Sequence, residues 1–189
     1  MPVILTKGGN VSLSKQAPAM TKALFGLGWD ARSTDGSAFD LDAIALIVDA
    51  GDKVLSQQHM VFFNNLNSPE GAVTHSGDNL TGAGEGDDEI ITVDFSKLPP
   101  TAAKVVFAVS IYDAKSRKQN FGQVSNAFIR AVDSSTQQEI MRFDLSEDYS
   151  LETAVIFGEL YKREQEWKFK AIGAGYSAGL AGLARDYGV

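Results

Sequence analysis

Apolar residues recur along this chain with a period of two, in short runs closed off by turn formers, and that pattern predicts strands rather than helices. The runs occupy residues 38–49 (AFDLDAIALIVD), 59–64 (HMVFFN), 89–95 (EIITVDF), 104–112 (KVVFAVSIY), 124–132 (VSNAFIRAV), 139–145 (EIMRFDL), 153–161 (TAVIFGELY) and 166–173 (EWKFKAIG). They are rich in β-branched and aromatic residues, which suit a pleated, half-buried surface. Residues 11–15 and 22–29 are expected to add two earlier strands. Gly, Asp, Asn, Ser and charged residues at 49–53, 67–71, 132–136 and 162–166 supply the turns. Eight to ten strands at this spacing predict an all-β fold, a β-sandwich of two mostly antiparallel sheets. A few short helices are expected besides, over 113–121 and 177–188. Pro99 and Pro100 mark a loop between strands. Nothing in the chain reads as a linker or a repeat, so one domain over 1–189 is expected.

Composition narrows the function. The chain has 189 residues, 44% hydrophobic and 22% charged, which is ordinary for a packed globular protein. No apolar run approaches the roughly 20 residues needed for a membrane-spanning helix, so no membrane span is expected. The first residues lack a basic stretch, a long apolar core and a cleavage site, so no secretory leader is expected. Cys is absent, which removes disulfides, thiolate nucleophiles and thiolate metal sites. A cytoplasmic location is expected. The net charge of −7 argues against nucleic acid as a partner.

That charge is concentrated. Between Val54 and Ser96 there is no Lys or Arg, while Glu70, Asp78, Glu85, Asp87, Asp88, Glu89 and Asp94 all fall there. At its centre, residues 77–90 read GDNLTGAGEGDDEI. Asp78, Asn79, Thr81, Glu85, Asp87, Asp88 and Glu89 form an oxygen-rich inventory of the kind calcium takes, and the glycines let carbonyls turn inward. The spacing is not that of an EF-hand: Leu80, Gly82 and Ala83 stand where that loop needs Asp or Asn and then Gly, and the flanks read as strand. The competing reading is a solvated acidic hairpin loop. If β-structure has begun by Glu89, that residue shares a face with Asp87, and Asp88 points the other way.

A second acidic group, Asp30, Asp35, Asp40 and Asp42, precedes the first. Asp35, followed by Gly36, is a turn residue on this reading. Asp40 and Asp42 flank Leu41 and, on a strand, point to one face about 7 Å apart. Asn64 and Asn65 offer amide carbonyls nearby. Catalytic signatures are missing: there is no HExxH, no GxSxG and no Walker lysine. Both histidines have bland readings, His59 as a structural residue at the head of a strand and His75 as a loop residue, either at the surface or, less favoured, behind the acidic residues. The basic residues Lys115, Arg117 and Lys118 read as a solvated loop, and Trp29, Trp167 and Phe169 as core. No enzymatic activity is expected. The alternatives are a carboxylate-based hydrolase and an extracellular, calcium-dependent, lectin-like adhesion sandwich.

Taken together, LTKGGNVSLSK, GLGWDAR, FDLDA, FFNN, GDNLTGAGEGDDE, IYDAKSRKQNFGQVSNAFIR, RFDLSED and GELYKREQEWKFKAIGAGY resemble the TerD family of tellurite-resistance and general stress proteins of bacteria. The resemblance runs from Thr6 to Gly188 and rests on eight motifs in order. It implies a β-sandwich that binds two calcium ions at adjacent acidic loops, and a cytoplasmic role in resistance to tellurite and other stresses alongside other stress-response proteins. Carried over by motif, the metal-binding set is Asp78, Asn79, Thr81, Glu85, Asp87, Asp88 and Glu89, with Asp30, Asp40, Asp42, Asn64 and Asn65 upstream. The chain departs from the family at one place. Where GEGDGDDE is common it has GAGEGDDE, which puts Ala83 in place of a Glu and Glu85 in place of an Asp.

Overall fold

A computed structural model describes residues 1–31, 39–76, 86–145, 149 and 151–189. Two six-stranded sheets face one another. The first runs β1 (Val3–Leu5), β10 (Glu139–Asp144), β9 (Val124–Asp133), β3 (Lys22–Ala31), β7 (Glu89–Asp94), β6 (Val73–His75). The second runs β2 (Asn10–Ser12), β12 (Glu166–Tyr176), β11 (Ala154–Arg163), β8 (Lys104–Ile111), β4 (Leu41–Val48), β5 (Met60–Val61). All pairings are antiparallel except β1 with β10. The expected sandwich is therefore the observed architecture, and the long strands fall where the alternation placed them.

The differences lie at the edges. Every edge strand is only two or three residues long, a length that limits open pairing with another chain and leaves too little alternation to detect. β1 and β6 had no strand signal. Residues 11–15 divide between β2 and a helical turn, α1 (Leu13–Gln16), whose first turn Ser12 caps by accepting the Lys15 N–H. Only Met60 and Val61 of residues 59–64 pair as strand, because Phe62 and Asn65 close a tight turn with reciprocal backbone bonds. The two helices expected later are α2 (Ala114–Arg117) and α3 (Gly179–Asp186). Among the described residues no helix is long and apolar enough to cross a membrane.

Alternation fills the space between the sheets from both sides. Phe25 stacks on Phe107 at 4.4 Å between centroids, and Phe169 lies 6.0 Å from Phe25. A second apolar layer covers the outer face of the second sheet, where Ile44, Leu46, Val48, Val106 and Ile156 pack under Leu183 of α3. β4 is thus covered on both faces and buried at every position. Trp29 and Phe169 are core residues as expected. Trp167 is half-buried and stacks on Phe95 at 5.1 Å.

The topology gathers one set of strand ends. The carboxyl ends of β3 and β8 and the amino ends of β4, β7 and β9 lie at the same end of the sandwich. The described acids of both segments singled out in the sequence, Asp30, Asp40 and Asp42 of one and Asp87, Asp88 and Glu89 of the other, lie at that end.

Candidate functional site

The three consecutive acids at 87–89 go three different ways. Glu89 opens β7 opposite Leu27 and turns inward between the sheets, 1% exposed. Its Oε2 accepts the backbone N–H of Ala43 at 2.6 Å and lies 3.1 Å from His75 Nε2. Ala43 sits on the half of β4 that extends beyond the short edge strand β5, so the carboxylate satisfies an N–H that has no ladder partner there. His75, expected at the surface, is buried at the end of β6 and forms the other half of this link. One side chain therefore ties β6, β7 and β4 together across both sheets.

Asp88 N–H donates to Leu27 O at 2.8 Å, and Asp88 Oδ2 accepts the Trp29 N–H at 2.8 Å. Burial, against the pull of the Trp29 N–H and together with the carboxylates of Asp30, Glu89 and Asp87, pushes the Asp88 carboxyl up to about 6.

Asp87 does not share a face with Glu89, because the strand begins only at Glu89. Instead Asp87 lies back over the outer face of β3. There Gly26 leaves room: a Cβ at this position would collide with the Asp87 carboxylate. Arg130 on β9, the cross-strand partner of Gly26, reaches over it and donates from Nε to Oδ1 at 2.8 Å and from Nη2 to Oδ2 at 2.7 Å.

Asp30 stands at the exposed end of β3, and its Oδ2 accepts the Asn126 amide at 2.7 Å. Between Gly28↔Phe128 and Asp30↔Ser125 the register slips by one residue on β9. Asn126 takes the left-handed conformation there, with φ of 53°, which asparagine tolerates better than most residues. The bulge turns its amide onto Asp30.

The upstream acids sit across the gap on the second sheet. Asp40 lies just before β4, and its carbonyl accepts the Tyr112 N–H at 2.7 Å. Asp42 is 3% exposed and pairs with Ser110 of β8. The register continued through the Asp40–Tyr112 bond puts the two acids on one face, as the alternation implied. Oδ1 of each is closed off from water without a hydrogen bond.

Of the two asparagines, Asn65 is engaged elsewhere. Asn65 Nδ2 donates to the carbonyls of Gln58 and Met60, at 2.9 and 2.8 Å, and so serves the tight turn after β5; Asn64 is exposed. Asp78, Asn79, Thr81 and Glu85, like Asp35, lie outside the described residues.

His59 is structural, as expected, but in a 3-10 turn (Gln57–His59) that precedes β5: Nδ1 lies 2.7 Å from Ser56 Oγ and Nε2 2.9 Å from Glu70 Oε2. Lys115 and Lys118 are exposed, while Arg117 lies over the Tyr112 ring at 5.3 Å.

The described part of the site brings Asp30, Asp87, Asp88 and Glu89 together at one mouth; Asp40 and Asp42 lie at the same end on the second sheet, on the outer face of β4 that also carries Ile44 and Leu46. Every donor is an oxygen, which suits a hard cation. Among the described residues no three His, Asp or Glu side chains converge closely enough to hold a metal ion by themselves. Arg130 and His75 were not among the sequence candidates. The only signal for Arg130 was that it breaks the apolar run of β9.

The TerD domain profile matches residues 1–187 of this chain. The tellurium resistance protein TerD of Serratia marcescens is 54% identical over 189 residues, covering 100% of this chain and 98% of that protein. General stress protein 16U of Bacillus subtilis is 51% identical, with 100% and 98% covered. Among solved structures, a crystal structure of a protein of unknown function superposes with a TM-score of 0.72 at 28% identity, covering 87% of this chain and 95% of its own. A Streptomyces coelicolor A3(2) homologue of the telluride resistance protein TerD shares the fold, with a TM-score of 0.69 at 22% identity over 88% and 96% of the two chains. With the profile spanning nearly its whole length and relatives this similar end to end, the chain belongs to the TerD family.

Proposed function

We propose that this chain is a non-enzymatic, calcium-binding protein of a stress response, tellurium stress included, working in the cytoplasm through ion-dependent ordering of its acidic loops and docking of other stress-response proteins. The relatives' names support the stress role. One structural observation carries the cation reading: Asp30, Asp87 and Glu89 crowd Asp88 at one mouth of the sandwich. Asp30 and Asp88 would hold one ion, completed by the oxygens of Asp78, Asn79, Thr81 and Glu85. Asp40 and Asp42 would serve a second. Bound calcium would offset the crowded carboxylate charge at this mouth, where Arg130 already neutralises Asp87. Because the chain has no Cys, protection against tellurite does not run through its own thiols.

The test is calorimetric titration of the purified chain with calcium. Binding is expected, and Asp88→Asn should weaken it tenfold or more, about 1.4 kcal/mol or above. Absence of binding heat at any calcium concentration, or an Asp88→Asn variant that binds like the wild type, would sink this assignment.

Asp88 also makes a pH signature in the metal-free chain. Its folded-state pKa of about 6 lies above the ordinary 3.8, so the folded state prefers the protonated form. This group costs nothing below about pH 3.8, and its full penalty is present above about pH 6. In chelator, the Asp88 contribution should therefore lower stability as pH rises through that window. Asp88→Asn, which keeps an acceptor for the Trp29 N–H, should flatten the slope. Urea midpoints across that range measure it; equal slopes for variant and wild type would place the source elsewhere.

A further inference from the structure

We infer that Asp87 and Arg130 form a positioning clamp for the cation site, with Asp87 committed to the guanidinium rather than to the ion, and with Gly26 as the seat of the clamp. This rests on the calcium reading above. The geometry is that of a built device. Both Asp87 oxygens are taken by one planar fork, at 2.8 and 2.7 Å, the bidentate arrangement in which Arg–carboxylate pairs are most specific. The Asp87 side chain is only 10% exposed, against 31% for Arg130, so the carboxylate lies beneath the cation that holds it. A third bond, from Arg130 Nη1 to Glu139 Oε2 at 3.1 Å, fixes the guanidinium from the opposite side.

The surrounding sequence accommodates this at a cost. Arg130 pairs directly across the ladder with Arg142, and like charges in that position are destabilising. Arg142 turns instead to Asp144 at 2.9 Å and lies over the Phe128 ring at 3.9 Å, which leaves Arg130 to Asp87 and Glu139. Gly26 contributes by having no side chain, since any Cβ there would displace Asp87.

The clamp acts on the next residue. Asp87 is bonded to Asp88, and Asp88 is held to β3 by its N–H to Leu27 O and its Oδ2 to the Trp29 N–H. Fixing Asp87 two strands away on β9 orients the start of β7 and presents the Asp88 carboxylate before any ion arrives. Arg130 is thus a positioning residue, and its role depends on its fork as well as its charge.

Arg130→Lys separates these, because lysine keeps the charge and loses the planar fork. Gly26→Ala displaces Asp87 with no change of charge. Calcium titration should show affinity lowered about tenfold in both variants. Combining Arg130→Lys with Asp87→Ala should cost no more than Asp87→Ala alone. In chelator, amide hydrogen exchange at Trp29 and Asp88 should quicken in both single variants while the core amides of β3 stay protected. If Arg130→Lys binds calcium more tightly, Asp87 is an ion ligand that Arg130 masks, and the inference is wrong. Unchanged affinity and unchanged exchange overturn it equally. A wild-type chain that takes no calcium removes the cation reading, and the exchange measurement then decides by itself whether the clamp orders β7.

Discussion

Glu89→Ala should destabilise the chain by about 2–6 kcal/mol, because it orphans two buried donors at roughly 1–3 kcal/mol each. The donors are the Ala43 N–H on β4 and, with Glu89 ionised, the His75 Nε2–H. Neither has water to turn to, since the side chains of His75 and Glu89 are both fully buried. Set against a total stability of about 5–15 kcal/mol for a typical domain, this is a large share for one carboxylate. The effect should be specific to the hydrogen bonds. Glu89→Gln keeps an acceptor of the same size and should cost much less than Glu89→Ala. Denaturant midpoints of the two variants in chelator measure this directly. Equal losses would show that Glu89 matters for its volume and not for linking β6, β7 and β4.

The second large effect is calcium-dependent stability. An ion that binds the folded chain and not the unfolded one stabilises by about 2.7 kcal/mol per site at 100 times its Kd. Two sites would contribute about twice that, so Tm should climb steadily with calcium and fall back in chelator. Magnesium should do less at equal concentration, because it demands near-octahedral geometry at short distances and gives up its waters reluctantly. Salt separates a built site from diffuse attraction. At about 1 M salt the screening length is about 3 Å, which abolishes a general pull on acidic surface but leaves directly coordinated oxygens in place. A Tm that is identical in excess calcium and excess chelator would remove calcium from the account of this protein. The clamp between Asp87 and Arg130 and the Glu89 link would then stand as purely structural devices.

The two acidic segments owe their meeting to the fold. Asp30 and Asp88 are far apart in the sequence, yet the antiparallel pairing of β3 with β7 puts Leu27 opposite Glu89 and brings the acids on either side to one mouth. The bulge at Asn126 and the glycines at 26 and 28 shape that mouth: a Cβ at the first would meet Asp87, and one at the second would meet Phe128. Such glycines carry no local turn signal. Their need for open space is visible only once the neighbouring strand and the incoming acid are in place.

What the sequence determined by itself was whatever repeats within a few residues. Period-two alternation or, for β4 and β8, a continuous apolar run marked β3, β4 and β7 to β12, because a long strand has to present one face or both to apolar packing and that demand is written residue by residue. Composition excluded thiol chemistry, and the crowding of acids without cations between Val54 and Ser96 pointed to an oxygen-donor site. The tertiary structure alone decided which acids face one another. Asp87 reaches Arg130 across an intervening strand, Glu89 reaches β4 in the opposite sheet, and His75 is drawn inside to meet it. The physical reason is range. Alternation is a local constraint, whereas a buried carboxylate is satisfied by whichever donor the sheet pairing brings within about 3 Å, and that donor lies more than 40 residues away for both Asp87 and the Ala43 bond of Glu89.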